Sequence, residues 1–466
     1  MKHIHLIGIG GTGLSAIARV LLEKGYTVSG SDRTASPLFN AITDAGAHTF
    51  LGHAPEQIAG AELVIRSSAV PDYNPEVVAA LAKGIPVLKR AEFLEELIND
   101  QETLAIAGSH GKTTTTAMLA WVLEKLGNDP SYIVGSVVKQ LGCNAHAGKG
   151  TYFVIEADEY DYMFLGLSPL VAVVTNIEHD HPDCFPTMQS YRDAFKQFLS
   201  QVKPGGLGLL CWDDPAAQLL IKEMKASGLN VLSYGTSDSA DYYAKLIPTK
   251  GSMPTFDLVF SHDQKESQKI GRVTLKIPGE HNVLNAAAVL AVVHYLGLSL
   301  PNAIEALNVF TGASRRFDVL GSTAGVTIID DYGHHPTEIS ETLKAAKSAY
   351  PGQRIWAVWQ PHTFTRTKTL EEDFIKALSL ADRAIVLKIF AARENDAGYT
   401  AETIANAVPN HKATYIEDFD QITKYLLKDL SNGDVAIFFS AGDATKISKA
   451  VLENLRDRTV SGGNSD

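Results

Sequence analysis

The stretch Thr103–Met118, TLAIAGSHGKTTTTAM, decides the fold. Thr103 to Ala107 reads as a short apolar strand and runs into Gly108-Ser109-His110-Gly111-Lys112-Thr113-Thr114. A helical pattern follows at once, with Met118, Leu119, Val122, Leu123 and Leu126 spaced to share a face. Strand, glycine loop and helix in that order form a nucleoside triphosphate site. Glycines let backbone N–H groups close on phosphate oxygens, and the helix N-terminus adds partial positive charge. Lys112 then reaches the β- and γ-phosphates, and the Thr113 hydroxyl ligates Mg2+. Where the common loop has four residues between its glycines, only Ser109 and His110 separate Gly108 from Gly111 here. The alternative is a chance glycine turn beside a lysine, and the flanking strand and helix speak against it. ATP is the ligand implied.

Upstream, a buried-strand pattern from His3 to Ile9 opens into Gly8-Ile9-Gly10-Gly11-Thr12-Gly13, which satisfies G-x-G-x-x-G. A helix pattern follows through Leu14, Ile17, Ala18, Leu21 and Leu22, and a second strand, Tyr26 to Gly30, delivers Asp32. An acidic residue about 20 positions beyond the loop completes a dinucleotide-binding fingerprint. The ligand can be NAD, another phosphate compound, or nothing at all if the loop is only a tight strand–helix turn. Leu63 to Ser68 is a strand whose end, Ser67 and Ser68, is grouped with the Gly8–Gly13 loop as candidate substrate-binding residues. A turn at Pro71, a helix Pro75–Leu81, a strand Ile85–Lys89 and a helix Glu92–Ile98 follow, and the polar run 99–102 marks a domain boundary.

Downstream, 135–150 is rich in glycine and small residues and reads as irregular. The strand Tyr152–Ile155 ends in Glu156-Ala157-Asp158-Glu159-Tyr160-Asp161. Four carboxylates so close repel one another, which favours a metal or cationic partner over a solvated turn. An acidic cluster at a strand's carboxyl end is where a second magnesium ligand is expected. The strand Val171–Thr175 leads to Asn176-Ile177-Glu178-His179-Asp180-His181, with His181 a candidate metal ligand. Residues 233–274 read as an antiparallel excursion. An alanine-rich helix begins near Pro278, where Asn282 and Asn285 lie three apart and share a face. A linker, Gly312–Asp318, sets the second boundary near Ala313. Later strands deliver Asp331-Tyr332-Gly333-His334-His335-Pro336 and Gln360-Pro361-His362-Thr363-Phe364-Thr365-Arg366. The tail 461–466 reads as disordered.

The 466 residues exceed one ordinary domain, and 45% hydrophobic with 20% charged residues fits a globular protein. A net charge of −12 argues against a nucleic-acid partner. Three cysteines without metal spacing read as reduced thiols and point to the cytosol, and no apolar run approaches the roughly 20 residues of a membrane span. Alternating strands and helices predict an α/β chain of three domains, 1–100, 101–313 and 314–466.

Together the motifs resemble the Mur ligases, the ATP-dependent amide-forming enzymes of peptidoglycan synthesis. The resemblance spans nearly the whole chain and rests on eight motifs in order. They are Gly8–Gly13, Gly108–Thr113, Glu156–Glu159, Thr175–Glu178, His281–Asn285, Arg315–Asp318, Asp331–Pro336 and Gln360–His362. The short spacing Gly-x-x-Gly-Lys-Thr is that family's form. The resemblance implies a central P-loop ATPase-like domain between two Rossmann-like ones, the N-terminal of which uses Gly8, Gly10, Gly11, Thr12 and Gly13 to hold the diphosphate of UDP-N-acetylmuramate, with Asp32 towards the nucleoside. It implies Mg2+ on Thr113 and Glu156, a second metal on His181, and ATP contacts from Asn282, Asn285, Arg316 and Asp331. His334, His335 and Arg366 become the amino-acid end, the arginine fork suiting the carboxylate of L-alanine. Thr363 departs from a common family form that has arginine there. The implied protein is a monomer or dimer acting on small molecules, without membrane insertion. Alternatives are a recycling ligase that attaches a murein tripeptide, an NAD-dependent dehydrogenase with an accessory ATPase domain, and a non-enzymatic regulator.

Overall fold

The computed structural model describes residues 2–98, 100–248, 253–261, 267–392, 394–395 and 398–462, with side chains to 457. Among them are three sheets, each with a parallel centre. The first contains β1 (His3–Ile7), β2 (Thr27–Asp32), β3 (His48–Leu51), β4 (Leu63–Arg66) and β5 (Val87–Lys89), in the order β3-β2-β1-β4-β5. Its helices are α1 (Thr12–Glu23), α2 (Pro37–Asp44), α3 (Pro75–Ala82) and α4 (Arg90–Ile98). Strand β1 ends at Ile7 and not Ile9, because Gly8 turns to a φ of 92° and the N–H groups of Gly8 and Ile9 donate to Ser31 O.

The central sheet holds β6 (Glu102–Ala107), β7 (Ser131–Val138), β8 (Cys143–His146), β9 (Tyr152–Glu156), β10 (Val171–Val174), β11 (Leu207–Cys211), β12 (Val231–Gly235), β13 (Tyr242–Leu246), β14 (Thr255–Phe260) and β15 (Gln268–Thr274). Their order is β15-β14-β13-β12-β11-β10-β6-β9-β7-β8. Strand β10 is fully buried and β6 is buried from Thr103 to Ala107, as their apolar runs require. The segment 135–150, expected to be irregular, lies largely in the antiparallel hairpin β7–β8, which turns at Gly142 with φ 72°. Its small residues hid the strand pattern. The antiparallel excursion appears as β13–β14–β15, extending the same sheet. Residues 249–252 and 262–266 of that excursion lie outside the described residues.

Helices α5 (Lys112–Lys125), α6 (Met188–Leu199), α7 (Pro215–Ala226), α8 (Glu280–Tyr295) and α9 (Leu300–Asn308) accompany this sheet. The expected single apolar face of α5 is instead burial all round from Ala117 to Leu123. Trp121 Nε1 on that helix donates to Ala306 O of α9 at 2.9 Å, so α5 is covered on its outer side too. Packing on every side ties α5 to its neighbours and so positions its N-terminus.

The third sheet has β16 (Asp318–Thr323), β17 (Val326–Asp331), β18 (Arg354–Trp359), β19 (Arg383–Val386), β20 (Ala413–Tyr415) and β21 (Asp434–Phe439), in the order β16-β17-β21-β18-β19-β20. Only β16 runs antiparallel, and both faces carry apolar cores. Helices α10 (Pro336–Ala349) and α11 (Phe364–Thr369) follow β17 and β18. Ser461 and Gly462, expected in a disordered tail, end the last helix, Thr445–Gly462; 463–466 lie outside the described residues. The chain forms two compact units, one of residues 1–247, 255–274 and 283–311, the other of 248–254, 275–282 and 312–466. No helix among the described residues is long and apolar enough to cross a membrane.

Candidate active site

Open parallel sheets bind ligands beyond the strand carboxyl ends, where strand order reverses. In the central sheet that point is β6, with β9 on one side and β10 on the other. The loops after these three strands carry the glycine loop, the acidic cluster and the histidine cluster. Gly108, at φ 126°, lies so close to β10 that a Cβ would fall 2.1 Å from Thr175 Oγ1. Ser109 N donates to Asn176 O at 3.1 Å, and His110 N to Asn176 Oδ1 at 2.9 Å. His110 Nε2 meets Glu178 Oε2 at 2.9 Å. Gly111, with φ 83°, caps α5, and Asn285 Oδ1 sits 2.8 Å from where its Cβ would be. Thr114 is half-buried in the first turn of α5.

Lys112 folds back over this loop. Its Nζ donates to Gly108 O, to Ser109 O at 3.2 Å, and to Glu159, whose Oε2 lies 2.9 Å away. Burial opposes the lysine charge, but Glu159, Asp158 and Glu156 outweigh it and hold its pKa above the ordinary value. The acidic cluster is not one self-repelling patch, for each carboxylate takes its own partner. Glu156 Oε1 accepts from Thr113 Oγ1 at 2.9 Å and Oε2 from Gly135 N at 2.6 Å. Asp158 pairs with Arg90 at 3.1 Å, and Asp161 lies 4.0 Å from Lys89. His181, at φ 55°, places Nε2 3.8 Å from Glu159 Oε1 and 3.7 Å from Asp180 Oδ2.

In the first sheet the order reverses at β1, and the loops after β1, β2 and β4 meet there. Most of the loop's amides are committed internally. Besides Gly8 and Ile9, Gly10 N donates to Asp32 Oδ2 at 2.9 Å and Gly11 N to Gly8 O at 3.1 Å. Asp32 therefore fixes the loop, which leaves the first turn of α1, at Thr12 and Gly13, as the end with unpaired helix N–H groups. Ser67 Cβ lies 3.1 Å from the Cβ position of Gly8, and Ser68 follows in the same turn. Arg90 was missed by the sequence reading. It lies across Gly13, where a Cβ would fall 1.9 Å from its Nη1, and so brings a cation to the loop. Its signal was a cation opening a helix directly after a strand end.

The C-terminal unit gathers its own set after β17 and β18. Asp331 accepts from Phe317 N at 2.8 Å and Gly333 N at 2.7 Å, tying the 315–318 segment to β17. Burial pushes both Asp330 and Asp331 up to about 6. Arg316 lies over the Tyr332 ring and 3.5 Å from Glu338 Oε1. His334 Nδ1 meets Tyr332 O at 3.2 Å, and the buried His335 caps α10 through Thr337 N. Arg366, mostly buried, has Nη1 3.4 Å from His362 Nδ1, and the His334 and His362 rings lie 5.7 Å apart. Asn282 Nδ2 turns back to Pro278 O at 2.7 Å, so its amide serves the helix start in this conformation.

The sequence matches the Mur ligase family catalytic domain over residues 3–102, the Mur ligase middle domain over 106–293 and the Mur ligase glutamate ligase domain over 315–442. A curated relative from Geobacter sp. (strain M21), named UDP-N-acetylmuramate–L-alanine ligase, is 41% identical over 98% of both chains. The chain belongs to the Mur ligase family. A relative of the same name from Syntrophus aciditrophicus (strain SB) is 39% identical over 98% of this Mur ligase and 94% of its own length. Among solved structures, a UDP-N-acetylmuramate–alanine ligase from Thermotoga maritima superposes with a TM-score of 0.84. It is 28% identical, covering 98% of this chain and 100% of that one. A murein peptide ligase from Psychrobacter arcticus gives 0.73 at 27% identity, covering 98% and 99%. Family membership removes the reading of the first loop as part of an NAD-dependent dehydrogenase.

Proposed function

We propose that this Mur ligase joins L-alanine to the lactyl carboxylate of UDP-N-acetylmuramate, converting ATP to ADP and phosphate. The observation that carries the reading is the two-fifths identity, over essentially full length, to relatives named for that reaction. The carboxylate attacks the γ-phosphorus of ATP to give an acyl phosphate and ADP. The amine of L-alanine then attacks the acyl carbon, and the tetrahedral intermediate collapses to amide and phosphate. The first step brings two anions together, so cations fixed in advance lower its barrier. Lys112, anchored on the glycine-loop carbonyls, is the cation so placed.

The residues present fit Mg2+. The Thr113 hydroxyl and the Glu156 carboxylate, 2.9 Å apart, are hard oxygen donors of the kind magnesium selects. They would hold one ion, with His181 on a second, and bound metal would neutralise phosphate oxygens. We assign residues 1–100 to the UDP-sugar through the Gly8–Gly13 loop, Ser67 and Ser68. Residues 101–313 take ATP through the Gly108–Thr113 loop, with Ser109 and His110 in it, and through Thr114, Asn282 and Asn285. Residues 314–466 supply Arg316 and Asp331 to the nucleotide and His334, His335 and Arg366 to the amino acid.

Phosphate release with ATP, Mg2+ and UDP-N-acetylmuramate is the test, with L-alanine, glycine, L-serine or a murein tripeptide as fourth component. Release above background with L-alanine supports the reading; background with every single amino acid refutes it. The tripeptide reading has one observation in its favour, the full-length likeness to a murein peptide ligase. Preferential release with tripeptide would establish it.

A further inference from the structure

We propose that Glu159 is an internal counter-ion that occupies Lys112 in place of a nucleotide phosphate, and that Tyr191 moderates its hold. The proposal rests on the reading of Gly108–Thr113 as the ATP loop.

An ammonium group has three N–H donors. Those of Lys112 are taken by Gly108 O, Ser109 O and the Glu159 carboxylate, whose oxygens lie 3.1 and 2.9 Å away. An incoming phosphate oxygen must displace one of the three. The two carbonyls belong to a loop locked by Gly108 against Thr175 and by Ser109 and His110 on Asn176, so they stay. Glu159 is the only anion of the set and repels a second anion, so it is the group that yields. Its carboxylate is 1% exposed, and water cannot take over from Lys112 when the pair opens.

A second donor is already in place. Tyr191, fully buried on α6, donates its hydroxyl to Glu159 Oε1 at 3.1 Å and lies 3.0 Å from Ser109 Oγ. Its ring is held edge-on by Phe185 and Phe195, so the hydroxyl is fixed in direction. His181 Nε2 stands 3.8 Å from the same oxygen. Glu159 is thus shared between Lys112 and Tyr191. Glu156 acts on Lys112 only through its charge, its two oxygens being taken by Thr113 and Gly135.

Two substitutions then act in opposite directions. Glu159→Gln keeps the shape and removes the charge, so Lys112 is released to phosphate. Exchanging a charged for a neutral hydrogen bond implies ATP binding about five- to tenfold tighter. Tyr191→Phe keeps the ring packing and removes the competing donor. Glu159 then grips Lys112 harder, and ATP binds about two- to fivefold more weakly. Calorimetric titration of wild type and both variants with ATP, once with Mg2+ and once in excess EDTA, reads both effects, and a thermal melt checks the fold.

Tightening in Glu159→Gln with weakening in Tyr191→Phe, under both conditions, is the result expected. Weakening in both, no change in Glu159→Gln, or tightening confined to the Mg2+ titration would overturn the proposal. If Glu159→Gln does not fold, Tyr191→Phe decides: weaker binding supports, equal or tighter binding refutes. Failure of wild type to bind ATP would overturn the ATP reading itself and the proposal with it. Binding by wild type without tightening in Glu159→Gln overturns the proposal alone.

Discussion

Gly108→Ala is expected to abolish tight nucleotide binding, and to do so more severely than Gly111→Ala in the same loop. Gly108 sits at φ 126°, where a side-chain-bearing residue is strained by about 1–3 kcal/mol. A Cβ would lie 2.1 Å from Thr175 Oγ1, 2.9 Å from Thr175 N and 3.0 Å from Asn176 N. Two of those atoms are backbone at the end of a fully buried strand, so the loop must move instead, and overpacking adds roughly 1–3 kcal/mol. The lower sum, about 2 kcal/mol, is already a roughly 30-fold loss of ATP affinity. Gly111 differs on both counts. Its φ is 83°, and the atom its Cβ would meet is the end of the Asn285 side chain at 2.8 Å, which can rotate away. That substitution is expected to lose only about 1–2 kcal/mol, or roughly five- to thirtyfold. Calorimetric titration with ATP and Mg2+ measures both, with circular dichroism melts to confirm that the sheets persist. Gly108→Ala binding ATP within threefold of wild type would refute the argument that backbone contact with β10 sets the loop, as would Gly111→Ala being the worse variant.

Lys112→Ala is expected to lower turnover by a factor on the order of 10²–10³ and also to lower the melting temperature, since the buried Glu159 carboxylate loses its lysine counter-ion. The double variant Lys112→Ala/Glu159→Gln should regain the stability and not the turnover; recovery of turnover would remove Lys112 from the chemistry. Asp330, raised by burial to about 6, binds its proton more tightly folded than unfolded, so its stabilising effect is full below pH 4 and lost as pH rises through about 6. Chemical denaturation should show wild type gaining about 2–3 kcal/mol on Asp330→Asn between pH 8 and pH 4, and parallel pH curves would contradict it.

The sequence was most legible where the fold constrains composition most. Strands β6, β9, β10, β17 and β18 are buried and apolar, and each ends at the residue where a polar motif begins, so motif and strand end could be read together. Strands β3, β16 and β20 were passed over because they are short, lie at sheet edges and carry half-exposed polar residues. Spacing could find the four carboxylates of 156–161 but not their dispersal. That dispersal depends on Arg90 and Lys89, some 70 residues upstream, and on Lys112. The same holds for Tyr191, whose helical position announces a core aromatic and nothing of the carboxylate it meets.

The two glycine loops show why motif alone left the first ligand open. Both follow a central parallel strand, and both use positive-φ glycines to bring backbone close to a neighbouring strand. In the first, Gly8, Ile9, Gly10 and Gly11 direct their N–H groups to Ser31 O, Asp32 and Gly8 O, so those amides shape the turn. The fingerprint therefore specifies a conformation that NAD or a UDP-sugar can use equally. What separates the two loops is where their charge comes from: Arg90 reaches across Gly13 from a later helix in one, and Lys112 lies within the loop itself, with Glu159 and Glu156 beside it, in the other. A lysine directly before a hydroxyl-bearing threonine is local and was read at once. An arginine delivered by a later helix requires the fold.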